Sequence, residues 1–179
     1  MVDVSIAGPG QLSASELETA QTLVQSAFGD GFRAHDWLHA IGGQHVLVTE
    51  EGILLAHAAV VARTLRHDDV CFDTGYVEAV AVRADHQGRG LGRLVMDQAE
   101  SLIRACHQIG ALNAVEDAAP FYASRGWLPW TGRTQADTPG GTVDTYDVAD
   151  RIFLLPPASV PSLSPNRPLV CDWRIGDLW

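Results

Sequence analysis

The sequence predicts a mixed α+β (α/β) fold: a mostly antiparallel central sheet, one parallel strand pair and flanking helices. Three observations predict it. Two apolar runs flank Glu50-Glu51-Gly52, and a polar turn at Arg66-His67-Asp68-Asp69 leads to a third, the pattern of an antiparallel meander. The third run ends in Tyr76-Val77-Glu78-Ala79-Val80-Ala81-Val82, a nearly continuous apolar strand. A Gly-rich turn, His86-Gln87-Gly88-Arg89-Gly90-Leu91-Gly92, joins it to an amphipathic helix. Beyond that helix, Ala111 to Val115 reads as a short buried strand, making a β-α-β crossover that implies a parallel neighbour.

Each element has its own signal. Residues 2–6 form an edge strand before the Gly8-Pro9-Gly10 turn. Ser13 precedes Glu16 by three positions, a capping box, and Leu17, Ala20, Leu23, Val24, Ala27 and Phe28 then line one face of a first helix. After Gly29-Asp30-Gly31, a shorter helix runs from about Arg33 to Ile41 and stops at Gly42-Gly43. Strands follow at His45 to Thr49, Ile53 to about Leu65, and Val70 to Val82. The long helix carries Leu91, Leu94, Val95, Leu102, Ile103 and Cys106 on one face, runs to about His107 and ends near Gly110. Asp117 caps a next short helix that tolerates Pro120 in its first turn. From Thr131 to Gly141 the pattern is irregular, and Ile152 to Leu155 reads as a strand. Prolines 156, 157, 161, 165 and 168 stiffen an extended stretch, and the two tryptophans of the tail predict that it docks.

Composition narrows the function. A length of 179 residues fits one domain, residues 1–179, with 156–179 as its C-terminal tail. Three cysteines show no metal-ligand spacing and leave one unpaired in any disulfide scheme, as in a reducing cytoplasm. No leader and no run of the ~18 to 20 apolar residues of a membrane span is present. All 12 basic residues are arginine, against 22 acidic ones, giving a net charge of −10. That balance disfavours nucleic acid and favours a cationic partner.

The turn at residues 87–92 is where chemistry is expected. Unpaired backbone N–H groups and the positive dipole end at a helix start, approached through glycines, suit a pyrophosphate, and Arg89 offers a charge-assisted contact. It is neither the G-x-G-x-x-G of a dinucleotide fold nor a P-loop.

Gln87-x-x-Gly90-x-Gly92 after an Ala/Val strand resembles the Q/R-x-x-G-x-G/A signature of the GNAT N-acetyltransferases, and Tyr122-x-x-x-Gly126-Trp127 resembles a second segment of that superfamily. More closely, the chain resembles the aminoglycoside 2'-N-acetyltransferases. The residues that carry this are Asp36-Trp37, Leu38-His39-x-x-Gly42-Gly43-x-His45, Ala56-His57-Ala58-Ala59-Val60, Gly75-Tyr76-Val77-Glu78, Tyr122 to Trp130 and the tail Cys171-Asp172-Trp173-Arg174-x-Gly176-Asp177-x-Trp179. The resemblance implies the GNAT acyl-CoA N-acyltransferase fold, with its splayed parallel strand pair. It also implies acetyl transfer from acetyl-CoA, as co-substrate without a metal, to the 2'-amine of an aminoglycoside, and hence antibiotic resistance. Glu78 is then the base, acting through water, and Tyr122 protonates the departing thiolate. Val80, Ala81 and Val82 present the strand backbone to acetyl-CoA, with the N–H of Val80 or Val82 on the thioester carbonyl, and Gln87, Gly88, Arg89, Gly90, Leu91 and Gly92 hold the pyrophosphate. By the same resemblance Asp36, Glu78, Ala79, Asn113, Asp177 and the terminal carboxylate of Trp179 line the aminoglycoside site, where the tail docks, and Asp30, Asp147 and Asp150 are the further candidate acids. A cytoplasmic enzyme and a homodimer are implied too. Two alternatives stay open: a GNAT enzyme acting on a protein amine or another small amine, and a non-catalytic acyl-CoA-binding module.

Overall fold

The computed structural model describes residues 1–156 and 163–179, with the side chain of Asp30 excepted. Pro157, Pro161 and the middle of the proline-stiffened stretch therefore lie outside the described residues. The chain divides into two compact units, Met1–Val61 with Val77–Leu102, and Ala62–Tyr76 with Ile103–Trp179.

The first unit holds strand β1 (Val2–Ala7), helix α1 (Ala14–Phe28), helix α2 (Ala34–Ile41), strand β2 (Gln44–Glu50), the first part of β3 (Ile53–His67), the last part of β4 (Val70–Val82) and most of helix α3 (Leu91–Cys106). β1, β2 and β3 pair antiparallel in that order. The β2–β3 turn places both Glu51 and Gly52 at positive φ (52° and 78°), the two-residue geometry that suits the right-handed twist of a hairpin. The capping box of α1 forms as its sequence requires: Ser13 Oγ accepts from Glu16 N at 3.3 Å, and Glu16 Oε2 accepts from Ser13 N at 2.8 Å. α1 and α2 bury Ala20, Leu23, Val24, Trp37 and Ala40 against Ala59 of β3 and Ala81 of β4. Alanines on the strands let the helices come close. Phe28 departs from the expected packed face: it is exposed and stacks on Phe32, with ring centroids 6.0 Å apart, because the chain turns at Gly29 before that position reaches the sheet.

In the second unit eight strands lie in the order β6-β9-β5-β4-β3-β10-β7-β8. The new members are β5 (Ile109–Asn113), β6 (Leu128–Pro129), β7 (Thr134–Thr138), β8 (Gly141–Asp144), β9 (Ile152–Leu155) and β10 (Leu169–Asp172). β5 runs parallel to β4, pairing Thr74–Tyr76 with Ile109–Ala111, as the crossover through α3 demands. The tail is part of the sheet: β10 runs antiparallel to β3 and parallel to β7. Leu65, Phe72, Tyr76, Ile109, Ala111, Ile152, Leu154, Leu169 and Trp179 share this unit's core.

Several boundaries differ from expectation. α3 ends at Cys106, and Gly110 is no stop signal. It lies inside β5, where a Cβ would stand 3.0 Å from Leu155 Cβ and 3.1 Å from Trp127. The glycine serves close packing, so β5 starts two residues earlier. β3 continues through His67, leaving Asp68-Asp69 as the turn. Asp117 sits within a 3-10 turn, Glu116–Ala118, while helix α4 (Ala119–Ser124) starts after Ala118 without a side-chain cap. Residues 134–144, irregular by sequence, form the β7–β8 hairpin. Its mixed Thr and Asp content masks a pairing driven by β10.

Candidate active site

In the first unit the site is made of backbone. Ala84–His86 is a 3-10 turn, Gln87 is extended, and Gly88 and Gly90 take positive φ (75° and 82°) before α3 begins at Leu91. Only glycine adopts these angles cheaply. A Cβ on either glycine would meet nothing within 4 Å, so space lies open over the turn. Gly92 is in the first turn of a 16-residue helix, whose leading N–H groups lack intrahelical acceptors. These residues fit an anionic diphosphate. Arg89 is engaged locally, with Nη2 donating to Glu50 Oε2 at 3.2 Å.

The preceding strand is irregular where the chemistry is expected. Glu78, Ala79 and Val80 are half-buried, between buried Val77 and Ala81, and Ala79 has φ 53°. A left-handed residue interrupts the pleat and re-aims its neighbours. Asp36 of α2 is half-buried; its Oδ2 accepts from Arg33 N at 2.7 Å, and His35 Nε2 lies 3.2 Å from Oδ1. Val82 closes β4, followed by Arg83 N donating to Leu55 O at 2.8 Å.

In the second unit Tyr122 of α4 is buried against Phe121, Trp127 and Phe153. Burial pushes its phenol up to about 12, opposed by the charge of Arg125, so the group stays protonated at neutral pH. Asn113 is exposed at the end of β5. Its Nδ2 donates to Asp150 Oδ1 at 2.8 Å, and its Oδ1 accepts from Arg151 N at 2.9 Å. Asp150 is held above the usual carboxylate range, first by burial and then by the charges of Asp147 and Asp177, while the Asn113 bond pulls it down. Three carboxylates that raise one another's cost of ionisation favour a cation among them. Asp147 Oδ1 also accepts from Ala149 N at 2.8 Å. Trp179 is buried, and its indole N–H donates to Thr145 Oγ1 at 2.8 Å.

A family model described as an acetyltransferase (GNAT) domain matches residues 42–128. An aminoglycoside 2'-N-acetyltransferase of Mycolicibacterium fortuitum is 45% identical over 165 residues, spanning 90% of this chain and 84% of that protein. The chain belongs to the GNAT acetyltransferases, in their aminoglycoside 2'-N-acetyltransferase family. Solved GNAT structures share the fold. An acyl-CoA N-acyltransferase from Pseudomonas aeruginosa superposes with a TM-score of 0.64 at 15% identity, covering 87% of this chain and 99% of that one. The ribosomal-protein-S18-alanine N-acetyltransferase from Escherichia coli gives 0.60 at 20%, covering 89% and 100%. No described helix of this acetyltransferase is long and apolar enough to cross a membrane.

Sequence reasoning assigned no role to three side chains of this GNAT chain that the structure makes prominent. Arg63 is buried and grips the tail, and His45 and His57 are buried beneath Trp37. The signal was present: a lone arginine in the run Val60-Val61-Ala62-Arg63, and histidines on inward positions of otherwise apolar strands.

Proposed function

We propose that this chain transfers the acetyl group of acetyl-CoA to the 2'-amine of an aminoglycoside. The observation that carries the reading is the 45% identity, over 90% of the chain, to a protein of that name. The mutual repulsion of Asp147, Asp150 and Asp177 supports a polycationic acceptor, since ammonium groups relieve it.

Acetyl transfer needs a deprotonated amine, a stabilised oxyanion and a proton for the sulfur. Glu78 takes the ammonium proton through water. The N–H of Val80 receives the oxyanion as the amine attacks the thioester carbonyl, and Gln87 to Gly92 hold the diphosphate of the donor. The C–S bond then breaks, and Tyr122, kept as a phenol by burial, donates hydrogen to the departing sulfur. Asp36, Ala79, Asn113, Asp150, Asp177 and Trp179 belong to acceptor recognition. Asp150 is favoured over Asp147 because it is the more buried of the two and is oriented by Asn113. The side chain of Asp30 lies outside the described residues. The reading carries with it a cytoplasmic homodimer, which light scattering on the purified chain checks for stoichiometry.

Thiol release from acetyl-CoA with gentamicin, tobramycin and kanamycin A, followed by NMR of the products, tests the proposal. Gentamicin and tobramycin are acetylated at the 2'-nitrogen, while kanamycin A, which lacks that amine, is not. Equal turnover of all three refutes the regiochemistry.

A further inference from the structure

Three non-glycine residues have positive φ among the described residues. Glu51 and Asp68 sit in hairpin turns, whereas Ala79 lies inside a strand. Strain of this kind persists only where the surroundings hold it. Here the holding group is visible. The carbonyl oxygen of Ala79 accepts a hydrogen bond from Nδ1 of His57 on β3 at 2.8 Å. His57 Nε2 lies 2.9 Å from Nδ1 of His45 on β2, and His45 Nε2 lies 3.4 Å from the carbonyl oxygen of Ile41 at the end of α2. The rings are 0% and 1% exposed, and the Trp37 indole packs 5.9 Å and 6.1 Å from them.

The protons follow from the acceptors. A carbonyl only accepts, so His57 carries its proton on Nδ1 and, being neutral, accepts at Nε2. His45 must then donate from Nδ1, which leaves its Nε2 bare toward Ile41. Two neutral rings between two carbonyls hold two protons for three gaps. The gap without a proton is the longest, 3.4 Å, beyond the normal N–H···O range of about 2.7 to 3.2 Å. Burial keeps both rings neutral, pulling His57 down to about 4 and lowering His45. The relay is therefore polarised in one direction, toward Ala79.

Its target is one peptide plane. The Ala79 carbonyl and the Val80 N–H belong to the same trans amide and point opposite ways, so anchoring one aims the other. A hydrogen bond on the carbonyl also polarises the amide and strengthens its N–H as a donor. We propose that His57, backed by His45, is a positioning residue that fixes the Ala79–Val80 peptide and presents a polarised Val80 N–H to the oxyanion formed during acetyl transfer. The inference rests on the proposed role of Val80 N–H and is independent of which amine accepts the acetyl group.

The test combines a tautomer measurement with a kinetic comparison. Long-range proton–nitrogen NMR of the wild-type protein at pH 7 should find His57 neutral and protonated on Nδ1. A proton on Nε2, or on both nitrogens, overturns the proposal whether or not any variant folds. With tobramycin as acceptor, His57→Leu should lower kcat by ~10- to 100-fold, part of the effect of losing one oxyanion donor, while CoA affinity by calorimetry changes by less than about threefold. His57→Asn keeps a donor close to the Nδ1 position and should recover most of the rate. Wild-type kcat in His57→Leu, or equal loss in both variants, refutes positioning. If the wild-type protein acetylates no aminoglycoside, the acceptor reading fails, and the tautomer alone decides this inference.

Discussion

Replacing Arg63 with methionine isolates what holds the tail in place. Arg63 is 5% exposed; its Nε donates to Asp172 Oδ1 at 2.8 Å, Nη2 to Asp172 O at 2.9 Å, and Nη1 to Leu178 O at 2.7 Å. The guanidinium also lies over the Tyr76 ring, 4.8 Å from its centroid. Methionine keeps much of the apolar stem and removes every donor. The Asp172 side chain is 42% exposed, so water resolvates its carboxylate and the ionic component is discounted. The two backbone carbonyls lose a charged donor, worth about 1.5 to 3 kcal/mol each, so a total of about 3 to 5 kcal/mol is expected. For a chain of this size that is a Tm lower by roughly 10 °C. Urea denaturation with fluorescence detection gives the free energy directly, and Asp172→Asn should cost less than Arg63→Met because it leaves the two carbonyl bonds intact. Leu178 adjoins Asp177, so the aminoglycoside KM should rise while the KM for acetyl-CoA holds. A loss below about 1 kcal/mol with an unchanged aminoglycoside KM would refute the argument that Arg63 clamps the tail.

Three further outcomes follow from the same geometry. Glu78→Gln and Tyr122→Phe should each lower kcat by ~10²-fold or more without weakening CoA binding, read by steady-state kinetics and calorimetry. Asp150→Asn should raise the aminoglycoside KM yet leave the protein at least as stable at pH 7 by urea denaturation. A raised carboxylate binds protons more readily when folded, so its ionisation subtracts stability as pH rises through the window above the ordinary value of 3.8. His57 has the opposite consequence, with His45 the titratable group facing it. Its pKa falls from 6.5 to about 4 on folding, so the unfolded chain binds the extra proton between those values. The stability is complete above 6.5 and is lost as pH falls toward about 4, about 3 kcal/mol in all. Denaturation of His57→Asn across this range should show that much less acid sensitivity.

Periodicity and punctuation made the elements legible where local chemistry decides them. Ser13 and Glu16 form their capping box, Glu51-Gly52 its hairpin turn, and Ile152 to Leu155 its strand at the expected residues. They fail where a distant partner decides. Thr134 to Asp144 pairs because β10 lies beside it, and Gly110 is glycine because Leu155 and Trp127 press on it, not because a helix ends there. The candidate site divides the same way. Gly88 and Gly90 declare their left-handed turns in sequence, but nothing about an alanine announces that Ala79 is left-handed. That conformation depends on a histidine 22 positions earlier in the chain, and the pairing of Asn113 with Asp150 spans 37 positions.

The two recognition tasks of this acetyltransferase call on different physics. A diphosphate and an oxyanion are best met by N–H groups, which cannot titrate and cost nothing to reorient when the backbone is rigid. A strained alanine held by two neutral imidazoles and a glycine turn at a helix start both supply such donors, and their price is paid on folding. A cationic acceptor is met instead by carboxylates that crowd one another, so that Asp150 is costly to ionise until a positive charge arrives. Rigidity serves the first task and stored repulsion the second. Arg63 links them in kind: by fixing Asp172 and Leu178 it keeps the acidic tail from relaxing away from that repulsion, which makes its loss a binding defect as well as a loss of stability.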